Sequence, residues 1–160
     1  MAVELITKSG RPMSSGNFMR LMKSILTDGK LDGCGISSSG ANITVAAGRI
    51  VAGGALVVVE STTVTAIGAG ELVLKIDTNA GTASILARAA VTLTQQDITG
   101  TGTVYEVQLA TFGFTSGSVS GLTVIIGTAK PVGCSSSSIT CGTAAPSGGS
   151  DGDIYFRIES

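Results

Sequence analysis

The chain has 160 residues, of which only 13% are charged, a formal net charge of −1, and no histidine or tryptophan. This length suits one domain with a sizeable core, and the near-neutral surface favours association with other copies or partners, with a stable Ser/Thr-coated β-protein as the alternative. The scattered cations give no basic footprint for nucleic acid, and no apolar run reaches the roughly 18 residues of a membrane helix. We therefore expect neither a nucleic-acid partner nor membrane insertion.

Residues 1–33 are predicted to form an extended arm followed by one short helix that serves attachment or oligomerisation. Four apolar side chains recur at the i, i+3, i+4 and i+7 spacing of one helix face. They are Phe18, Leu21, Met22 and Ile25. Ser14, Ser15 and Asn17 offer N-cap oxygens, and Asp28-Gly29 is expected to end the helix. Because three turns are marginal alone, this face should dock either on the chain's own sheet or on the same helix of another subunit.

Short β-rich runs from residue 34 to residue 127 predict an antiparallel β-sandwich or barrel. Ala55–Glu60 is apolar on both faces and is expected to be a central strand covered on both sides. Glu71–Asp77 alternates between apolar and charged side chains, and Thr82–Ala87 should return from it as a hairpin. The other predicted strands are Ile43–Ala47, Gly48–Val51, Thr62–Ala66, Val104–Thr111 and Leu122–Ile126.

The C-terminal segment, residues 128–160, changes in composition. Serine, threonine, glycine and alanine dominate up to Gly152, a composition that buries little apolar area and is typical of a linker. The last residues then alternate as a short strand with one apolar face. The residues of this strand that are predicted to take part in assembly are Ile154, Tyr155, Phe156 and Ile158. The strand should either add to a sheet of a neighbouring subunit or fold back as an edge strand of its own sheet.

Catalytic and metal-binding signatures are sparse. Without histidine, Ser-His-Asp and Cys-His arrangements cannot form within one chain, and the three cysteines match no zinc spacing. Cys134 and Cys141 could pair, but cytosolic synthesis disfavours a disulfide, so small buried or idle thiols are expected. Nothing marks two strand carboxylates as convergent, and alternation places several of them on solvent faces. These carboxylates are Glu60, Glu71, Asp77 and Glu106. We expect no catalysis, no cofactor and no metal.

Several segments resemble parts of tailed-bacteriophage virion proteins of the baseplate, tail-fibre and head-fibre group. Gly10–Phe18, which leads into the short helix, is similar to the opening of small phage structural proteins. Val45–Gly54 resembles a Gly-Arg segment of baseplate and appendage modules, and Leu72–Asp77 with Val104–Ala110 resembles the paired strands that follow it. Gly142–Ile158 resembles the Gly-Asp-Ile-Tyr-Phe ending of fibre-like chains.

The resemblance implies a non-enzymatic, β-rich protein that is made in the cytoplasm of a bacterial host and resides in the virion. It implies a homo-oligomer, most often a trimer, that contacts other virion proteins. The alternative function is a receptor-binding or carbohydrate-binding tip that recognises a host-surface glycan or protein. In either case residues 34–127 would form a rigid β body, with residues 1–33 and 128–160 making the assembly contacts.

Overall fold

The computed structural model of the chain describes residues 14–132, 139–142 and 154–157. One short helix precedes a β-protein, as the sequence predicts. In chain order, the elements are α1 (Ser15–Ile25), β1 (Gly29–Gly33), β2 (Ile36–Ser39), β3 (Asn42–Val45), β4 (Gly48–Ala52), β5 (Ala55–Val59), β6 (Thr62–Thr65), β7 (Gly70–Asp77), β8 (Thr82–Arg88), β9 (Val104–Thr115), β10 (Ser118–Val124), β11 (Ile139–Gly142) and β12 (Ile154–Arg157).

Three antiparallel sheets form the body. Their strand orders are β1-β4-β5, β2-β3-β6 and β10-β9-β7-β8. The sheets turn their apolar faces towards one shared core, as expected for a β-sandwich-like architecture. The largest fully buried aliphatic side chains in that core are Ile43, Ile50, Leu72, Leu74 and Leu109. The predicted fold class is therefore confirmed.

The β7–β8 hairpin is formed as the sequence predicts. Its register runs from the Glu71–Arg88 pair to the Asp77–Thr82 pair, and the apolar side chains of β7 at alternate positions lie in the core. On its other side, β7 pairs with β9, and a register shift between Leu72 and Val73 marks a bulge there. β7 is therefore the centre of the largest sheet.

The prediction for Ala55–Glu60 is wrong. β5 lies at the edge of its sheet and pairs with β4 alone among the described strands, and the Val58 side chain is 71% exposed. Two strands that are covered on both faces are β7, in which Leu72, Val73 and Leu74 are all buried, and the neighbour of β5, β4, in which residues 50–52 are all buried. The apolar run of β5 therefore predicted burial on both faces, whereas one face of the strand is exposed to solvent.

Other boundaries also differ from the sequence prediction. The helix ends at Ile25 rather than at Asp28-Gly29, because Leu26 is already extended and its N–H caps the helix on the Met22 carbonyl. β1 and β2 were not predicted, since their Gly- and Ser-rich sequences show little apolar alternation. The predicted linker contains β11, which pairs in parallel with β12. The proposed division at residues 33 and 127 stays a prediction.

Two of the sheet edges, those of β1 and β10, are partly covered by the chain's own backbone. Lys30 of β1 donates its N–H to the Gly127 carbonyl at 2.8 Å and accepts from Ala129 N–H at 2.8 Å. Val119 of β10 donates to the Gly40 carbonyl at 2.8 Å. Within the described residues, β5, β6 and β8 each pair on one side only. Their outer edges therefore remain open to a further strand.

Candidate assembly surface

The helix α1 begins at a regular N-cap. Ser14 has an extended backbone, and its hydroxyl oxygen accepts a hydrogen bond from the Asn17 N–H at 3.2 Å. This satisfies one of the main-chain donors that a helix N-terminus leaves free. The prediction of Ser14 among the N-cap residues is confirmed. The helix is thus fixed at its first turn.

The polar side of α1 faces the β body. Lys23 Nζ lies 2.9 Å from Asp97 Oδ1, and Arg20 Nε donates to the Thr99 carbonyl at 3.1 Å. Met19, on the same side of the helix, packs against the body's core. The lysine holds the pKa of the Asp97 carboxyl down at about 2, with help from hydrogen bonds from Thr99. Asp97 therefore stays ionised to more acidic pH than an unpaired aspartate.

The opposite side of α1 is apolar and exposed. We call Phe18, Leu21, Met22 and Ile25 the apolar helix face. Phe18 is 37% exposed, Leu21 38% and Ile25 47%, whereas Met22 is half-buried. The predicted face thus exists, but it does not dock on the chain's own sheet, which was one of the two expectations. The side that docks is the one that carries Arg20 and Lys23.

This orientation differs from that of the usual amphipathic helix, which buries its apolar stripe, although Arg20 and Lys23 also stay exposed. The residues that flank the apolar helix face are uncharged: Ser24 and Asn17 lie on one side, and Ser15 lies on the other. Nothing at its rim would repel a second copy of the same surface. Several contiguous exposed apolar side chains of this kind are typical of a contact surface.

The terminal strand predicted for assembly is formed over Ile154–Arg157, and Ile158 lies outside the described residues. Its backbone pairs in register with β11, from Ile139 opposite Ile154 to Gly142 opposite Arg157. This pair belongs to none of the body's three sheets. An isolated two-stranded sheet is marginally stable, so a third strand is expected to stabilise the pair.

Two carboxylates converge in the body, contrary to the expectation that several would face solvent. Glu71 is 1% exposed and Glu106 is 4% exposed. The Arg88 guanidinium bridges them, with Nε 3.1 Å from Glu71 Oε1 and its two terminal nitrogens at 2.9 and 3.0 Å from the Glu106 oxygens. We call these three residues the buried charge cluster.

Residues 89–95, which cover the buried charge cluster, and Gln108 of β9 supply further hydrogen bonds to it. Thr94 N–H donates to Glu106 at 2.9 Å, Val91 N–H reaches Glu71 at 3.4 Å, and the Gln108 amide donates to Glu71 at 2.7 Å. Arg88 lowers the pKa of Glu106. Both acids are thereby occupied by donors, which is the arrangement of a structural clamp on residues 89–95 rather than of an acid–base pair.

Other binding chemistries find little support in the described residues. No group of three metal-ligating side chains is present in the ranges that the structure covers, and no helix in those ranges could cross a membrane. The aromatic side chains are dispersed: Phe112 is buried, and the Tyr105 hydroxyl donates to Asp28 at 2.6 Å. Cys34 is buried, as predicted for a small thiol, and burial raises its pKa. The predicted alternatives for Cys134 and Cys141 stay predictions, because Cys134 lies outside the described residues.

Sequence reasoning missed the residues that orient the helix. Asp97 and Thr99 lie in a stretch for which the sequence predicts no strand or helix, and nothing in their spacing relates Asp97 to Lys23, 74 residues earlier. Neither a protein-family model nor a curated protein matches the sequence. The function must therefore be argued from the surface itself.

Proposed function

We propose that the chain is a non-enzymatic structural component of a tailed-bacteriophage virion, in a baseplate, tail-fibre or capsid-fibre appendage. In this proposal it assembles as a homo-oligomer, a trimer by the resemblance, and contacts other virion proteins. One observation carries the assembly role: the helix turns its charged side to its own body and its apolar side outwards. The phage context rests on the sequence resemblance.

The energetics of the apolar helix face support self-association. Burying one leucine-sized side chain stabilises a complex by about 1.5–3 kcal/mol, and every copy of the chain contributes four apolar side chains to this face. A helix of 11 residues gains little stability by itself, so packing against like helices would also strengthen it. The uncharged rim removes the repulsion that charged neighbours would add.

The alternative, a carbohydrate-binding tip, gains no specific support. Such sites use exposed aromatic rings, and of the aromatic side chains in residues 14–132 only Phe18 is classed as exposed, at 37%. It sits in the apolar helix face among aliphatic residues, which suits protein contact better than sugar stacking. We therefore take assembly as the function.

The test is the mass of the purified protein, measured by light scattering and native mass spectrometry. Leu21→Glu should yield monomers with an unchanged circular dichroism spectrum, because a carboxylate buried in the interface lacks a partner. Gly16→Glu is the matched control: it adds the same charge to the same helix, at an exposed position where a new side chain meets no neighbour within 4 Å. A monomeric wild-type protein, or a Leu21→Glu protein that assembles like the wild type, would refute the proposal.

A further inference from the structure

A groove runs between two of the open sheet edges, β5 and β8. It consists of two adjoining pockets of about 450 Å³ each, which share Val57, Val58 and Ala83. One pocket reaches Glu60 and Ile85, and the other reaches the beginnings of both strands. β5 and β8 therefore run in the same direction along the groove.

The chemistry of the groove suits an extended apolar segment. Its floor includes Leu74 and Ile76, which are otherwise buried in the core. Its walls carry main-chain groups that no described strand has paired. An open edge beside an apolar cleft binds a strand by main-chain hydrogen bonds, while alternate side chains fill the cleft.

The charges of the groove have one sign. Among the described lining residues, the only charged side chains are Glu60 and Asp77. Asp77 already accepts the N–H groups of Asn79 at 3.0 Å and Ala80 at 2.9 Å, whereas Glu60 is exposed. The groove therefore favours an apolar segment and disfavours acidic side chains within it.

We infer that the groove receives the terminal strand β12 of a second copy of this chain, which adds to the β8 edge. The sequence Ile154–Ile158 alternates large apolar residues and holds one charged residue, Arg157. Added to β8, it would extend the largest sheet and turn its apolar alternation towards Val57 and Val58. The β11–β12 pair would gain the third strand that an isolated pair lacks.

The chain's connectivity is compatible with exchange between copies. In the single chain, β12 is hydrogen-bonded to β11 and to none of the body's sheets. Because β11 and β12 stay paired in register, residues 133–138 link the body to the pair, and fully extended they would reach about 20 Å, which would let the pair contact an adjacent copy. This inference rests on the proposed function, because it requires copies of the chain to assemble.

Crosslinking between two differently tagged copies tests the inference. In a background with Cys134→Ser and Cys141→Ser, one copy carries Ser84→Cys on β8 and the other carries Arg157→Cys on β12. The two are mixed, allowed to exchange, and treated with a short bismaleimide. Ser84 is exposed and is expected to share its sheet face with Arg157 of the added strand. The control acceptor is Ser37→Cys, an exposed strand residue of the β2-β3-β6 sheet.

We expect a crosslinked product that contains both tags from the Ser84 pair and none from the Ser37 pair. A chain that carries both Ser84→Cys and Arg157→Cys and crosslinks only within itself would overturn the inference, since β12 would then fold back on its own β8. Assembly at the wild-type mass without any Ser84 crosslink would also overturn it while leaving the proposed function intact. A wild-type protein that is monomeric in the same samples would refute both.

Discussion

At the scale of single residues, the buried charge cluster stabilises the body most specifically. Glu71 and Glu106 are buried beneath residues 89–95, and Arg88 is their shared cation. Removing one partner from such a group leaves the others as uncompensated buried charges. The exposed pair of Arg49 and Asp32 has the same chemistry at the surface. The comparison between these two arginines isolates the effect of burial.

We expect Arg88→Met to lower the free energy of unfolding by about 3 kcal/mol, because two buried carboxylates would lose their cation. Arg49→Met, the matched control, should cost less than about 1 kcal/mol, since exposed ion pairs contribute little. Urea denaturation followed by circular dichroism measures both values. Equal losses for the two substitutions would show that burial does not set the strength of the cluster.

Strand periodicity predicted only half of this cluster. It placed Glu71 on the face of β7 opposite the core, and this is where the side chain lies. It also implied that this face is solvated, and this is wrong, because residues 89–95 cross over it. The alternation of side chains predicts which face of a strand a residue occupies. It does not predict whether a distant loop covers that face, because such a loop produces no periodic pattern in the strand's own sequence.

At the scale of elements, the sequence of the helix likewise predicted its local pattern but not its tertiary contacts. The spacing of Phe18, Leu21, Met22 and Ile25 predicted the apolar helix face and its length. It could not predict which way the face points, since that depends on Asp97, Thr99 and the β4–β5 turn. Gly54 in that turn has a positive φ of 86°, and a Cβ there would collide with the Met19 carbonyl oxygen of the helix. The close approach of helix and turn therefore requires glycine.

We expect Gly54→Ala to displace α1 from the body. Hydrogen–deuterium exchange of residues 15–25 should accelerate, and the oligomer should weaken, because the apolar helix face would lose its fixed orientation. Gly81→Ala is the matched control: its φ is +66°, and no atom lies within 4 Å of the added Cβ. It should cost about 1–2 kcal/mol of backbone strain and leave exchange in the helix unchanged. Faster helix exchange in both variants would contradict the role assigned to Gly54.

At the scale of the whole molecule, the absence of histidine shapes the response to pH. No side chain of this composition ordinarily titrates between about pH 5.5 and 7.5. The pKa of Glu106 lies below its ordinary value of 4.5 because Arg88 donates to it. Because Glu106 holds its proton more weakly in the folded chain than in the unfolded chain, acid favours unfolding. This contribution is present above about pH 4.5 and is lost as the pH falls through the lowered value.

We therefore expect a flat free energy of unfolding across neutral pH and a decline in acid. Urea denaturation at a series of pH values measures the curve. Glu106→Gln should be less stable at pH 7 and should show a shallower acid decline, because one linked carboxylate is gone. An inflection near pH 6.5 in the wild-type curve would contradict this account.

The attachment of α1 also sets an order of events during synthesis. Lys23 precedes Asp97 by 74 residues and Arg20 precedes Thr99 by 79, so the ribosome produces the helix long before its anchors. Until those later residues emerge and fold, α1 lacks the contacts that fix its direction. If the chain assembles as proposed, the apolar helix face would therefore be held in its final orientation only after the body has folded.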